Sequence, residues 1–234
     1  MSLCYFVSGT DTDVGKTFVA SALLARAGQL GLRTAGFKPV AAGAQSTAEG
    51  LRNGDALELM AAANQVLPYN AVNPYCFEAA IAPHIAAAEQ GVEVSVDTLL
   101  KAMERFRATA VDFSLVEGAG GWRVPLNSQQ SFADFAVALN VPVIMVVAMR
   151  LGCINHAVLT AEAIAGDGLP LAGWVANQAV AAVMPHYRDN VRTLQALLPA
   201  PLLGEIPYCP QKNIKEVAER LRLPREVGAT AKPL

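Results

Sequence analysis

The chain has 234 residues, of which 53% are hydrophobic and only 16% are charged, and its formal net charge at pH 7 is −2. This balance excludes a basic surface for nucleic acid or acidic membranes, and no apolar run reaches the ~20 residues that a membrane-spanning helix needs. The length fits one large domain or two small ones, and we favour a single domain over residues 1–223 with a loose tail over 224–234.

The start of the chain and its cysteines bear on the cell compartment. The first residues lack the charged start and the cleavage site of a secretory signal, so we expect a cytoplasmic protein. The cysteines are far apart and form no C-x-x-C pair: Cys4, Cys76, Cys153 and Cys209. This spacing predicts reduced thiols, and with scattered histidines it argues against a transition-metal site.

The first predicted element is an apolar strand that runs into residues 9–17, GTDTDVGKT, and then into a helix. The apolar face of that helix comprises Val19, Leu23, Leu24, Ala27 and Leu30, and Gly31 ends the pattern. Backbone N–H groups at the start of a helix lack intrahelical partners and lie at the positive end of its dipole, so phosphates bind there.

This strand, loop and helix together predict a phosphate-binding P-loop. Lys16 would place a charge between the terminal phosphates, and the Thr17 hydroxyl would ligate Mg²⁺. Five residues separate Gly9 from Gly15, whereas the standard motif has four. The alternative is an ordinary strand, loop and helix with a surface lysine.

A second strand is predicted from Arg33 to Val40, with Lys38 near its carboxyl end. Ligands bind at the carboxyl ends of strands in open α/β sheets, so Lys38 would lie on the same rim as the P-loop. The alternative is a solvated lysine at a strand end.

Further on, residues 55–58, DALE, resemble a capping box that opens a helix through Asn64. Capping is the role that the local sequence favours for Asp55, and Mg²⁺ ligation is the alternative.

The middle of the chain supplies a second acidic candidate. Residues 68–83 are irregular and resemble a lid or a substrate-side loop, and a helix is predicted over 95–108. The strand predicted over 111–116 then delivers Glu117 to a run of glycines at 118–121. A carboxylate there can reach Mg²⁺ directly or through water, because glycines allow close approach. The alternative is a surface charge at a strand end.

The remaining elements continue to alternate between helix and strand. They are a helix over 131–139, a very hydrophobic strand over 141–149, a helix over 156–165, and then a strand over 171–177, a helix over 187–198 and a last strand over 202–206. Such alternation implies parallel pairing through right-handed crossovers. The sequence therefore predicts a single-domain P-loop NTPase fold of the α/β class, with a mainly parallel central sheet and helices on both faces.

A rim with a P-loop, Lys38, Glu117 and Asp55 could hold MgATP, but these parts alone do not separate a kinase, a ligase and a nucleotide-driven switch. Five blocks in the same order resemble the dethiobiotin synthetase family: residues 9–17, 38–40, 117–122, 151–156 and 173–177. The resemblance runs from the first strand to about Pro207. It implies ATP- and Mg²⁺-dependent closure of a cyclic urea on 7,8-diaminononanoate with CO₂, through a carbamate and a carbamic-phosphoric anhydride, with release of ADP and phosphate.

The resemblance also implies roles for individual residues. Lys16 and Lys38 would be catalytic, and the Mg²⁺ ligands would be Thr17, Asp55 and Glu117. The nucleotide would be bound by Thr12, Asp13, Val14, Gly15, Lys16, Thr17, Asp55, Glu117, Gly118, Gly120, Asn177 and Pro207, with Asn177 reading the adenine. The diamine substrate would be bound by Lys38, Ala42, Leu151, Gly152, Cys153 and Asn155. The family is a homodimer in which the turn from Leu151 to Asn155 receives the carboxylate tail of substrate bound to the other subunit.

The chain departs from the family pattern in places. Ala42 stands where the family often has Ser, and Gln178 stands where an Asp often follows the Asn, while residues 208–212 do not clearly match. One rival class is a dimeric ATPase switch of the partitioning or assembly type, whose loop carries an extra lysine where this chain has Asp11. Another is a nucleotide-binding regulatory module without turnover.

Overall fold

The computed structural model describes residues 2–211 and 213–224. In this part of the chain the strands are β1 Leu3–Gly9, β2 Thr34–Phe37, β3 Val40–Ala41, β4 Gln45–Thr47, β5 Gly50–Arg52, β6 Tyr75–Cys76, β7 Phe113–Glu117, β8 Val143–Ala148, β9 Leu171–Asn177 and β10 Leu202–Ile206. The helices there are α1 Lys16–Gln29, α2 Gly54–Ala62, α3 Tyr69–Val72, α4 Pro83–Glu89, α5 Val96–Arg107, α6 Phe132–Leu139, α7 Cys153–Gly166, α8 Tyr187–Leu197 and α9 Ile214–Ala218. Apart from Pro224, the tail expected over 224–234 lies outside the described residues.

The central sheet has six strands in the order β10-β9-β8-β1-β7-β2, and all of its neighbouring pairs are parallel. The predicted mainly parallel α/β sheet is confirmed. Because the strands are parallel, their carboxyl ends meet at one edge of the sheet. The P-loop after β1, Lys38 after β2 and Glu117 at the end of β7 therefore lie at the same edge.

Helices cover both faces of the sheet, as predicted. The side chains of β1 alternate between the faces, so Tyr5 and Val7 pack with α1 and α9, whereas Phe6 packs with α5 and α6. A third cluster joins β8 and β9 to α7 and α8. No helix within the described ranges is both long enough and apolar enough to span a bilayer.

Local signals set several boundaries correctly. The side chains of Ser95 and Ser131 cap α5 and α6 with reciprocal bonds from the third helical residue, and β9 and β10 have the predicted bounds. The predicted strand over 33–40 ends at Phe37, because the chain then leaves the sheet and β3 pairs with β6. The β4–β5 hairpin and the short α3 and α9 were not predicted.

Two helix ends differ from prediction for identifiable reasons. Leu30 is not on the buried face of α1, because it follows the last helical residue and is 45% exposed. The helix predicted from His156 begins three residues earlier, at Cys153, after Gly152 adopts a left-handed φ of 93°.

The capping role predicted for Asp55 is wrong. Asn53 is the N-cap of α2, and its side-chain oxygen accepts hydrogen bonds from the backbone N–H groups of Asp55 at 3.0 Å and Ala56 at 3.3 Å. Asp55 therefore lies inside the first turn, and its carboxylate points to other partners.

Candidate active site

The loop after β1 has the tight backbone that a phosphate-binding loop requires. Gly15 has a φ of 84° and Asp13 a φ of 57°, both in the left-handed region. A Cβ at position 15 would overlap the Asn177 side-chain amide, so only glycine fits there. The buried Lys16 Nζ donates to the Asp11 carbonyl of the same loop at 3.2 Å, and α1 begins at Lys16. The free N–H groups of the first turn of α1 and the Lys16 ammonium therefore lie together.

Lys38 forms the centre of a buried charge cluster. Its Nζ donates to Glu117 Oε1 at 2.6 Å and to Asp55 Oδ2 at 2.9 Å. The Thr17 hydroxyl donates to the same Glu117 Oε1 at 2.8 Å. Lys38 is 4% exposed and Glu117 is fully buried, whereas the Asp55 side chain is 46% exposed. The structure thus brings both predicted carboxylates to one lysine, and the predicted hydroxyl bonds to the same Glu117 oxygen.

The local charges determine which groups stay ionised. Burial acts to lower the pKa of Lys38, but the carboxylates of Glu117 and Asp55 outweigh burial, and the pKa is raised. Burial acts to raise the pKa of Asp55, but the Lys38 charge outweighs it, and that pKa is lowered. Burial and the Lys38 charge lower the pKa of Lys16 to about 8. Lys38 and Asp55 are therefore a charged pair at neutral pH.

The donor set suits a hard divalent cation. It consists of a hydroxyl and two carboxylates, and oxygen ligands are those that Mg²⁺ prefers. Glu117 Oε2 is buried and has no hydrogen-bond partner among the described residues, which is unusual for a carboxylate oxygen. No group of three or more His, Cys, Asp or Glu side chains able to hold a metal occurs within 2–211 and 213–224. Thr17, Asp55 and Glu117 fit Mg²⁺ in kind, with phosphate oxygens and water as the usual further ligands.

A cleft of about 1040 Å³ lies over this cluster. Most of the predicted site residues line it: Thr12, Asp13, Gly15, Lys16, Thr17, Lys38, Ala42, Asp55, Glu117, Gly120, Asn177 and Pro207. Two others support it from behind. The Val14 carbonyl accepts from Asn177 Nδ2 at 2.8 Å, and the Gly118 carbonyl lies 3.5 Å from Lys38 Nζ.

Two further parts of the wall come from segments whose place in the cleft the sequence does not define. Residues 80–83, inside the segment predicted to be a lid or substrate-side loop, line the cleft, as do 208–210.

The Asp11 carboxylate pairs with Arg150 at 2.6 Å, across 139 residues of sequence. Sequence reasoning missed this pair, because nothing local to either residue indicates the other.

One predicted group does not join the cleft. Leu151, Gly152, Cys153 and Asn155 do not line it, and the Leu151 side chain is 96% exposed. They form the first turn of α7 and the residues before it, directly after Arg150. Within one chain, therefore, the predicted substrate-tail turn lies outside the cleft that holds Lys38.

Comparison with known proteins identifies the family. A family model described as "AAA domain" matches residues 4–214. The ATP-dependent dethiobiotin synthetase of Pseudomonas paraeruginosa strain PA7 is 52% identical over 219 residues, which cover 94% of this chain and 96% of the relative. That of Cellvibrio japonicus is 54% identical over 203 residues, covering 87% and 88%. The chain belongs to the ATP-dependent dethiobiotin synthetase family.

Membership of this family confirms the resemblance of the five sequence blocks. The chain is accordingly an ATP-dependent ligase of biotin biosynthesis.

Among solved structures, the MinD cell division protein of Aquifex aeolicus has a TM-score of 0.59 at 16% identity. The match covers 100% of this chain and 99% of the MinD chain. A septum site-determining MinD from Pyrococcus horikoshii OT3, complexed with Mg-ADP, has a TM-score of 0.52 at 17% identity, with coverages of 92% and 86%. At these identities the likeness establishes a shared fold alone, and it does not support the ATPase-switch alternative.

The buried cluster makes a prediction about stability. Glu117→Gln should lower the free energy of unfolding by about 3 kcal/mol, because it leaves the buried Lys38 without its closest countercharge. Asp55→Asn, the matched control on the exposed side of the same lysine, should cost at most about 1 kcal/mol. Urea denaturation of the two variants measures both values. Equal losses would mean that Glu117 is no more important to the Lys38 charge than Asp55.

Proposed function

We propose that this chain closes the ureido ring of dethiobiotin from 7,8-diaminononanoate and CO₂, with conversion of ATP to ADP and phosphate. The names of its relatives support dethiobiotin as the product. One observation carries the chemistry: the Lys38 ammonium is held between Glu117 and Asp55 at the edge of a P-loop cleft. A cation in that place can draw two anions together.

The proposed reaction has three steps. One amine of the diamine adds to CO₂ and loses a proton, which gives a carbamate. A carbamate oxygen then attacks the γ-phosphorus of ATP and displaces ADP, forming a carbamic-phosphoric anhydride. The second amine attacks the carbonyl carbon, phosphate leaves, and the loss of a proton completes the cyclic urea. No step needs a nucleophile from the protein, so catalysis rests on positioning and on charge stabilisation.

The two lysines have different proposed tasks. Lys16 and the backbone N–H groups at the start of α1 hold the phosphates of ATP, together with the loop residues Thr12 to Gly15. Lys38 lies further along the rim and contacts the carbamate and the γ-phosphoryl group. Both of those groups are anionic, so Lys38 strengthens its contacts as charge moves between them in the transition state.

The nucleotide base and the metal are assigned from the same cleft. Because Asn177 Nδ2 is committed to the Val14 carbonyl, the side-chain oxygen of Asn177 remains to accept from the adenine amino group. Gln178 donates its amide hydrogens to the carbonyls of Val180 and Ala181, so it does not replace the carboxylate that often follows the Asn in this family. Thr17, Asp55 and Glu117 would hold Mg²⁺, which supplies charge neutralisation for the phosphates.

We also propose a homodimer in which the turn from Leu151 to Asn155 binds the substrate carboxylate of the other subunit. The support is geometric: the turn lies at the N-terminus of the 14-residue helix α7, and it does not line the cleft of its own chain. A helix N-terminus binds a carboxylate through its unpaired N–H groups. The substrate that contacts this turn is therefore proposed to be bound by a second copy.

The proposed function predicts strict dependence on all three substrates. Purified protein with Mg²⁺ should release phosphate only when ATP, bicarbonate and the diamine are all present, with one dethiobiotin formed for each phosphate. Colorimetric phosphate assay and mass spectrometry of the product measure this, with each component omitted in turn. Phosphate release without the diamine would indicate an ATPase switch, and no release under any condition would indicate a module without turnover.

The role of Lys38 predicts a kinetic effect. Lys38→Met should form dethiobiotin at least about a hundredfold more slowly, which corresponds to roughly 2.7 kcal/mol of lost transition-state stabilisation. ATP affinity, measured by isothermal titration calorimetry, should change much less, because Lys16 and the P-loop remain.

Two controls accompany this comparison. Lys101→Met removes an exposed lysine from α5 and should leave turnover unchanged. Because Lys38→Met leaves the Glu117 carboxylate buried without its cation, rates are compared at a temperature where circular dichroism shows both variants folded. Near-normal turnover by folded Lys38→Met would restrict Lys38 to a structural ion pair.

A further inference from the structure

Tyr69, the first residue of α3, does not line the cleft, yet its hydroxyl bonds to Asn53 and Asn73, which in turn bond to residues that do. The backbone N–H of Asn53 donates to Tyr69 Oη at 2.7 Å, and Tyr69 Oη donates to Asn73 Oδ1 at 2.8 Å. Cys76 Sγ lies 3.4 Å from the same oxygen. A phenol has one O–H and two lone pairs, so these three partners use its full hydrogen-bonding capacity.

On one side of Tyr69 the network reaches the backbone of Lys38. Asn73 is only 2% exposed, and its Nδ2 donates to the Lys38 carbonyl at 2.7 Å and to the Tyr75 carbonyl at 3.1 Å. The Lys38 N–H donates to the Val72 carbonyl at 2.9 Å. Both polar groups of the Lys38 backbone are therefore held by neighbouring residues of one segment, although Lys38 has left the central sheet.

On the other side the network reaches Asp55. Asn53 is 6% exposed, and its side-chain oxygen receives the N–H groups of Asp55 and Ala56 at the start of α2. Its Nδ2 donates to the Ala42 carbonyl at 3.1 Å. The hydroxyl of Tyr69 thus joins the Asn53 backbone to the Asn73 side chain.

We propose that Tyr69 is a positioning residue for the ring-closing reaction, in that its hydroxyl fixes the Lys38 segment relative to the Asp55 segment. This rests on the proposed function, in which Lys38 stabilises the transferred phosphoryl group. Lys38 and Asp55 are 17 residues apart and their side chains meet at 2.9 Å, so their spacing depends on what ties the two segments together. The Arg52 guanidinium stacks 4.3 Å from the Tyr69 ring centroid and holds the ring from its outer side.

Loss of the hydroxyl would leave two buried polar groups without partners, the Asn53 N–H and Asn73 Oδ1. A buried polar group without a hydrogen-bond partner is costly, so the local structure would rearrange to give these two groups new partners. The rearrangement here would shift Lys38 and Asp55 relative to each other. The backbone of the P-loop would keep its place, because none of these bonds involves residues 9–17.

The test is Tyr69→Phe. We expect kcat for dethiobiotin formation to fall about tenfold to a hundredfold, the range that follows from a small misplacement of a catalytic group. The KM for ATP and the dissociation constant of ATP should stay close to the wild-type values. Tyr75→Phe is the matched control, because the hydrogen bonds described for Tyr75 involve its backbone, and its turnover should stay within about twofold of wild type.

A double-mutant cycle separates positioning from a general structural effect. In the Asp55→Asn background, where the charged contact with Lys38 is already weakened, Tyr69→Phe should reduce the single-turnover rate far less than it does in the wild type. Full multiplication of the two effects, or near-normal kcat for Tyr69→Phe alone, would overturn the inference. Absence of dethiobiotin with the wild-type protein would instead refute the proposed function, so the two failures are distinguishable.

Discussion

The buried contact between Lys38 and Glu117 is the interaction on which the site depends. β2 and β7 are neighbouring parallel strands whose last paired residues are Phe37 and Val116, so the next residues of each chain segment lie side by side. Taking two charges out of water is costly, and a buried ion pair often stabilises a fold no more than apolar residues would. We therefore attribute this pair to chemistry: it holds a fixed cation in the cleft that the P-loop also lines, and Glu117 and Asp55 keep Lys38 charged.

The parallel sheet explains how the other groups reach that cation. β1 lies between β7 and β8, so the loop that follows it opens between Glu117 on one side and the Arg150 region on the other. Asn177 ends β9 and packs over Gly15, which ties the far side of the sheet to the loop. Each of these residues follows or ends a strand at the carboxyl edge, the edge at which open α/β sheets bind ligands.

The parts of this arrangement that sequence reasoning could predict are those with local causes. Ser95 and Ser131 mark helix starts by their own capping bonds, and Glu117 follows an apolar run before glycines. Asp55 was misjudged because the helix begins one residue before it: Asn53 is the N-cap, and its side chain accepts from the backbone N–H groups of Asp55 and Ala56. The Tyr69 and Arg150 contacts depend on segments that only the folded chain brings together, so no periodicity or motif indicates them.

The central claim is that the cation-lined P-loop cleft transfers the γ-phosphoryl group to a carbamate and not to water. Isotope tracing tests this most directly. The reaction contains ¹⁸O-labelled CO₂, unlabelled water, ATP and the diamine, and it is stopped before oxygen exchanges appreciably between CO₂ and water. The released phosphate is then analysed by mass spectrometry. Transfer through a carbamic-phosphoric anhydride predicts one ¹⁸O in each phosphate, because the carbamate oxygen that attacks phosphorus leaves with it. Phosphate without ¹⁸O would mean that water attacks ATP, and it would contradict the account.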